Sequence, residues 1–164
     1  MALSPQNLQH LEAAHGFVDL GMFRDANDEL EKIHPEVLYV PEVLALRLCI
    51  YQKLEKWELM QSTAKKLLQD DPADPQWAIN LAYATRRADS IEAARQILLN
   101  FLNINDREPL VFYNLACYEC QLGDLKKAKE YLDHAFTMEP ELRTQALEDE
   151  DLEVVWASCR ADSM

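Results

Sequence analysis

The chain reads as all-α: a right-handed α-α superhelical solenoid of four helix hairpins plus a C-terminal capping helix. Three observations predict it. Only 3 of the 164 residues are glycine while Ala, Leu, Glu, Gln and Lys abound, a balance that favours helix over sheet. Residue types recur at an interval of 34 without any insertion, the mark of a stacked-repeat architecture. Within each interval the apolar spacing is helical and changes phase once, as a helix hairpin requires.

The period is carried by many pairs one interval apart: Asn80 and Asn114, Leu81 and Leu115, Ala82 and Ala116, Ala94 and Ala128, Leu98 and Leu132. Pro41, Pro75 and Pro109 form an unbroken series, and Phe23, Trp57, Ile91 and Leu125 keep the same step. Four units are expected, at 7–40, 41–74, 75–108 and 109–142, followed by a cap at 143–160, all in a single domain.

In the third unit Leu81, Ala82, Thr85 and Ala88 form the stripe of a first helix, and Ile91, Ala94, Ile97, Leu98 and Phe101 that of a second. Ser90 and Asp124 are suited to N-capping second helices by accepting an orphan backbone N–H. Gly21 and Gly123 stand where a helix C-terminus takes positive φ, whereas Glu55 and Asp89 at the matching places predict strained or differently built turns. The prolines suit a first helical turn, where the missing N–H is no loss, and Ser4-Pro5 starts the first helix in the same way. Ala26, Ala82, Ala94, Ala116 and Ala128 let paired helices approach closely. One hairpin alone leaves an apolar face bare, so the hairpins must stack and the ends must be capped. In the cap, Leu147, Leu152, Val155 and Trp156 are expected to dock on the fourth unit while Glu148, Asp149, Glu150, Asp151 and Glu153 face water.

Residues 112–140, with Phe112, Leu115-Ala116, Gly123-Asp124, Ala128, Leu132, Ala135 and Pro140, resemble a tetratricopeptide repeat. The earlier units agree at Ala14, Phe17, Gly21, Phe23, Ala26 and Leu30, at Tyr51, Trp57 and Pro72, and at Leu81, Ala82, Ala94 and Leu98. They depart from the pattern at Met60, Ala64 and Asp106. The resemblance spans residues 7–142. It implies a concave groove lined by the first helices, in which a peptide or helix of a partner protein lies. The non-packing positions there are Leu11, His15, Val18 and Asp19, then Ala45, Cys49, Gln52 and Lys53. Later units add Ile79, Asn80, Tyr83, Arg86, Arg87, Tyr113, Asn114, Cys117, Cys120 and Gln121.

Of these, Asn80, Tyr83, Arg86, Arg87, Tyr113, Asn114, Cys117 and Gln121 make up the candidate peptide-binding groove. Asn80 and Asn114 match the asparagine with which the family pairs a bound peptide's backbone, since an amide both donates and accepts. They are equally suited to bonding neighbouring helix ends. Tyr83, Tyr113 and Arg86 are the candidate anchors, being residue types that dominate hot spots. Arg86 and Arg87 make a local positive spot for a partner carboxylate, or else neutralise acidic surroundings. The Lys/Arg/Asn clamp of the family's chaperone-binding members is missing, since Leu11, His15, Leu46 and Gln76 stand at its places and only Asn80 or Asn114 agree.

Cys117 and Cys120 point to one side of a helix. A zinc site needs four ligands, and a low-pKa redox pair belongs at a helix N-terminus. Neither condition is met, so the pair is expected to be packing. His10, His15, His34 and His134 show no ligand spacing, and no nucleotide or nucleophile motif occurs, so no metal, no cofactor and no enzyme activity are expected. A net charge of −13 argues against nucleic-acid and anionic-membrane partners. Without a leader or an apolar span, and with unpatterned cysteines, the chain is expected in the cytoplasm. The function expected is a non-catalytic protein-binding module. Two other readings stand beside it: an export chaperone for an unfolded client, and a thiol- or metal-dependent regulator acting through Cys117 and Cys120.

Overall fold

The computed structural model describes residues 3–161, and among these there are ten α-helices, two 3₁₀ turns and no strand. The first hairpin is α1 (Pro5–Asp19) and α2 (Phe23–Leu30), and the second is α3 (Pro41–Lys53) and α4 (Trp57–Asp70). The third is α5 (Pro75–Ala88) and α6 (Ile91–Leu102), and the fourth α7 (Pro109–Leu122) and α8 (Leu125–Met138). Two further helices, α9 (Leu142–Glu148) and α10 (Glu153–Ala161), flank a 3₁₀ turn at Glu150–Leu152. Each first helix packs on its own second helix, and each second helix on the next first helix, which makes a solenoid.

The local chemistry sets these boundaries. Pro5, Pro41, Pro75 and Pro109 each open a first helix. The second helices begin at Phe23, Trp57, Ile91 and Leu125, each 34 residues after the last. The Ser90 hydroxyl accepts from the Ala93 N–H at 3.2 Å and an Asp124 carboxylate oxygen from Lys127 N–H at 3.1 Å, capping α6 and α8. Gly21 (φ 72°) and Gly123 (φ 89°) take left-handed backbone. At the equivalent turns Glu55 keeps the left-handed form at φ 54°, a strained choice for a side chain, while Asp89 abandons it for φ −133°. Both departures expected of those turns therefore occur, one at each.

The first hairpin is irregular. Its second helix has only eight residues, and the chain then runs through a 3₁₀ turn at Pro35–Val37. Asn7 of α1 ties this segment down, its side-chain oxygen accepting from the His34 N–H at 3.2 Å.

The core is three adjoining apolar clusters along the stack. One joins α1–α3, including Leu11, Leu30, Ile33 and Ile50. The next joins α3–α6, including Leu44, Met60, Leu67 and Leu81. The largest runs from α5 to α10 around Leu98, Leu115, Tyr118, Leu132, Leu152 and Val155. Ala26, Ala82, Ala94, Ala116 and Ala128 are fully buried, as close helix approach requires. Leu11, assigned from sequence to the open groove, is instead buried in the first cluster, because α1 turns that face toward α3.

The cap also differs from expectation. It is not one helix: at Asp149 the backbone leaves helical geometry (ψ 115°), and the break rotates the stripe of apolar residues. Leu152 and Val155 go into the core, Trp156 is half-buried with its indole N–H donating to the Ala146 carbonyl at 2.7 Å, and Leu147 is left 68% exposed.

Candidate functional site

The helix break has a second consequence, which bears on the groove. The Glu150–Leu152 turn packs on α7, so Asp149 and Asp151 do not face water as the acidic run suggests. They point at the face shared by the first helices α5 and α7. Leu152, fully buried, pins the turn there.

The donors on that face are residues singled out from sequence. Both terminal nitrogens of Arg86 on α5 donate to Asp151, Nη2 to Oδ1 at 2.8 Å and Nη1 to Oδ2. The side-by-side arrangement is the strong form of an Arg–carboxylate contact, and Asp151 makes the guanidinium hold its proton more firmly than usual. From α7, the Tyr113 hydroxyl donates to Asp149 Oδ2 at 2.7 Å. Burial first, and then that hydrogen bond to a carboxylate, push the phenol upward, so it stays a donor. Gln121 Nε2 donates to the Asp151 backbone carbonyl at 3.1 Å. The Cys117 thiol lies 3.8 Å from Asp149 Oδ2.

Arg86, Tyr113, Cys117 and Gln121 are thus brought together, around two carboxylates that sequence reasoning placed in solvent. Tyr83, Arg86 and Arg87 form the other wall of a space of about 540 Å³, facing Glu148–Asp151. Arg87 leans over the Trp57 ring of α4, its Cζ 4.9 Å from the centroid, and Tyr83 meets the same ring edge-on at 5.8 Å. The two asparagines do not join the cluster. The Asn114 amide donates to the Leu110 carbonyl one turn back in its own helix at 2.8 Å, neither across the groove nor to a neighbouring helix end. Asn80 sits half-buried on α5 outside the lining of that space.

Two participants escaped the sequence reading. Trp57, which the sequence marks only as a position of the repeat, is half-buried and forms a platform under Arg87. Tyr118, the residue after Cys117, lies under Arg86 (5.8 Å from Cζ to ring centroid), and its buried hydroxyl has no hydrogen-bond partner among the described residues.

Cys117 and Cys120 are both buried, and burial is the main cause raising both thiols above their ordinary range. The nearby carboxylates of Asp149 and Asp151 push the same way. A thiol held protonated is a poor nucleophile. Among the described residues, Cys117 Sγ and one oxygen each of Asp149 and Asp151 lie within 4.8 Å of one another, close enough to share a metal ion. In the fold as it stands the cation at these carboxylates is the Arg86 guanidinium, and Tyr113 takes up Asp149. No helix among the described residues is long and apolar enough to cross a membrane.

No protein-family model and no curated protein matches the chain. Solved structures do. The crystal structure of MamA protein superposes with a TM-score of 0.74 at 16% identity, covering 93% of this chain and 81% of that one. TTC0263, a thermophilic TPR protein in Thermus thermophilus, gives 0.69 at 20% identity, covering 93% and 82%. The MamA RS-1 ArsTM double mutant gives 0.72 at 14% identity over 82% and 76%. At these identities the likeness is one of architecture, and it agrees with the period, the capping and the hairpin stacking found above. The chain has the tetratricopeptide-repeat fold.

Proposed function

We propose that the protein is a non-catalytic protein-binding module that takes a peptide or short helix of a partner on the face of its first helices. The observation that carries this reading is the seating of the chain's own Asp149–Leu152 turn there. Side-chain donors from α5 and α7 reach both carboxylates and a backbone carbonyl of that turn. A surface that pairs main-chain as well as side-chain acceptors is built to hold polypeptide. The thiols that a redox or metal regulator would use are buried and raised, which favours the binding reading over that alternative.

The test is site-specific photocrosslinking in the native cells. A benzoylphenylalanine at position 83 lines the open part of the groove, and one at position 126, an exposed site on α8, serves as control. Protein adducts at 83 and not at 126 are expected. Adducts confined to 126 would move the binding site to the second-helix surface.

A further inference from the structure

We propose that the groove is a receptor for an Asp-x-Asp-apolar turn, held in cis by the chain's own Asp149–Leu152 and offered in trans by an acidic peptide segment of the partner. This rests on the groove reading above and supplies its ligand class. The donor set is specific to that chemistry. Arg86 embraces one carboxylate with two nitrogens, Tyr113 donates to another two residues earlier, and Gln121 reads the backbone of the same turn. A single aspartate at the place of Asp151 would leave the Tyr113 hydroxyl unused.

Three features make the cis turn exchangeable. First, it fills only part of the groove: a space of about 540 Å³ beside it, lined by Tyr83, Arg86 and Arg87 as well as by the turn, leaves room for a longer peptide. Second, the Arg86–Asp151 pair is within reach of solvent, with side chains 20% and 29% exposed, so a competitor's carboxylate can approach it. Third, Tyr118, whose ring lies under Arg86, has a buried hydroxyl without a partner among the described residues, a donor that the cis turn leaves unused. Replacing one acidic turn by another leaves the charge of the groove unchanged, so the chain's net −13 does not select against such a ligand at the site itself. The apolar residue after the second aspartate is required because Leu152 fills the core below.

The experiment uses the full chain and, as probe, a fluorescent peptide with the sequence of residues 146–157. Wild-type protein should bind it weakly, because a tethered competitor acts at high effective concentration. The chain carrying Asp149→Asn and Asp151→Asn, which keep the shape and remove the charges, should bind about tenfold tighter or more. Adding Arg86→Gln, or using a probe with both aspartates as asparagine, should abolish the gain. In the wild-type chain, amide exchange at Asp151 and Leu152 should accelerate with excess peptide, a readout that needs no variant. An opened chain that is folded by circular dichroism yet binds no tighter, or exchange that the peptide leaves unchanged, overturns the proposal. Concentration-dependent dimers of the opened chain in place of peptide binding would assign the site to a second copy and overturn it too. Crosslinks at position 83 without these effects would remove the ligand class alone and leave the groove reading standing.

Discussion

Leu98→Ala is expected to destabilise the protein by about 3–5 kcal/mol, the upper part of the range for truncating a buried leucine. The leucine is fully buried on α6, within the largest apolar cluster. The same cluster includes Ala78, Ala82, Ala94 and Ala116, none with any exposure. Small side chains mean that backbones are already close, so nothing nearby can swing in to fill the void. The cavity therefore persists at its full cost. Trp57→Ala removes a larger side chain yet should cost less. Its ring is only half-buried, resting against Tyr83 with Arg87 above it. From sequence alone both residues are large apolar repeat positions of second helices and look equivalent. Urea denaturation at equal m-values checks the order, and a larger loss for Trp57→Ala would contradict the packing described.

The second large effect lies in a buried ion pair. Glu119 on α7 is 2% exposed, and Arg95 of α6, 33% exposed, reaches its two oxygens at 3.4 and 3.5 Å. Arg95→Met strands a carboxylate away from water and should cost about 3 kcal/mol, the lower end for breaking a buried pair. The contacts are long and one partner touches solvent, which is why the lower end applies. Glu119→Gln should cost less, since the arginine left behind can turn outward and be hydrated. Replacing both by methionine should recover much of the loss, because neither charge then remains buried. Equal losses for the two single variants would mean that burial is not what makes the pair asymmetric.

Much of the fold was legible because the sequence constraints are local. A proline opens each first helix, an alanine stands where two helices touch, and Ser90 or Asp124 caps a helix three residues on. Each requirement recurs at the same place in the hairpin, so the period exposes it. The groove was only half legible. Arg86, Tyr113, Cys117 and Gln121 could be placed on the first-helix face from their spacing along α5 and α7. Their ligands could not. Asp149 and Asp151 sit in a run of four acids, a pattern that ordinarily marks a solvated face. What turns them inward is the loss of helical backbone at Asp149, and the partner of Asp151 lies 65 residues earlier. The same break explains why Leu147 is exposed while Leu152 and Val155 are buried. Leu11 was misplaced because α1 packs on α3, as α5 packs on α7, and Leu11 lies in the apolar cluster that joins them.

The site and its ligand class both depend on the acidic turn sitting on the first-helix face through Arg86. A double-mutant cycle on Arg86→Ala and Asp151→Ala, read by chemical denaturation, tests it most directly. The residues are far apart in sequence, so any coupling must come from docking of the turn. A two-pronged charged contact that is mostly shielded from water should give a coupling of about 1–2 kcal/mol, above the usual value for exposed pairs. A coupling below about 0.3 kcal/mol, with both single variants folded, would mean that the turn does not rest on Arg86.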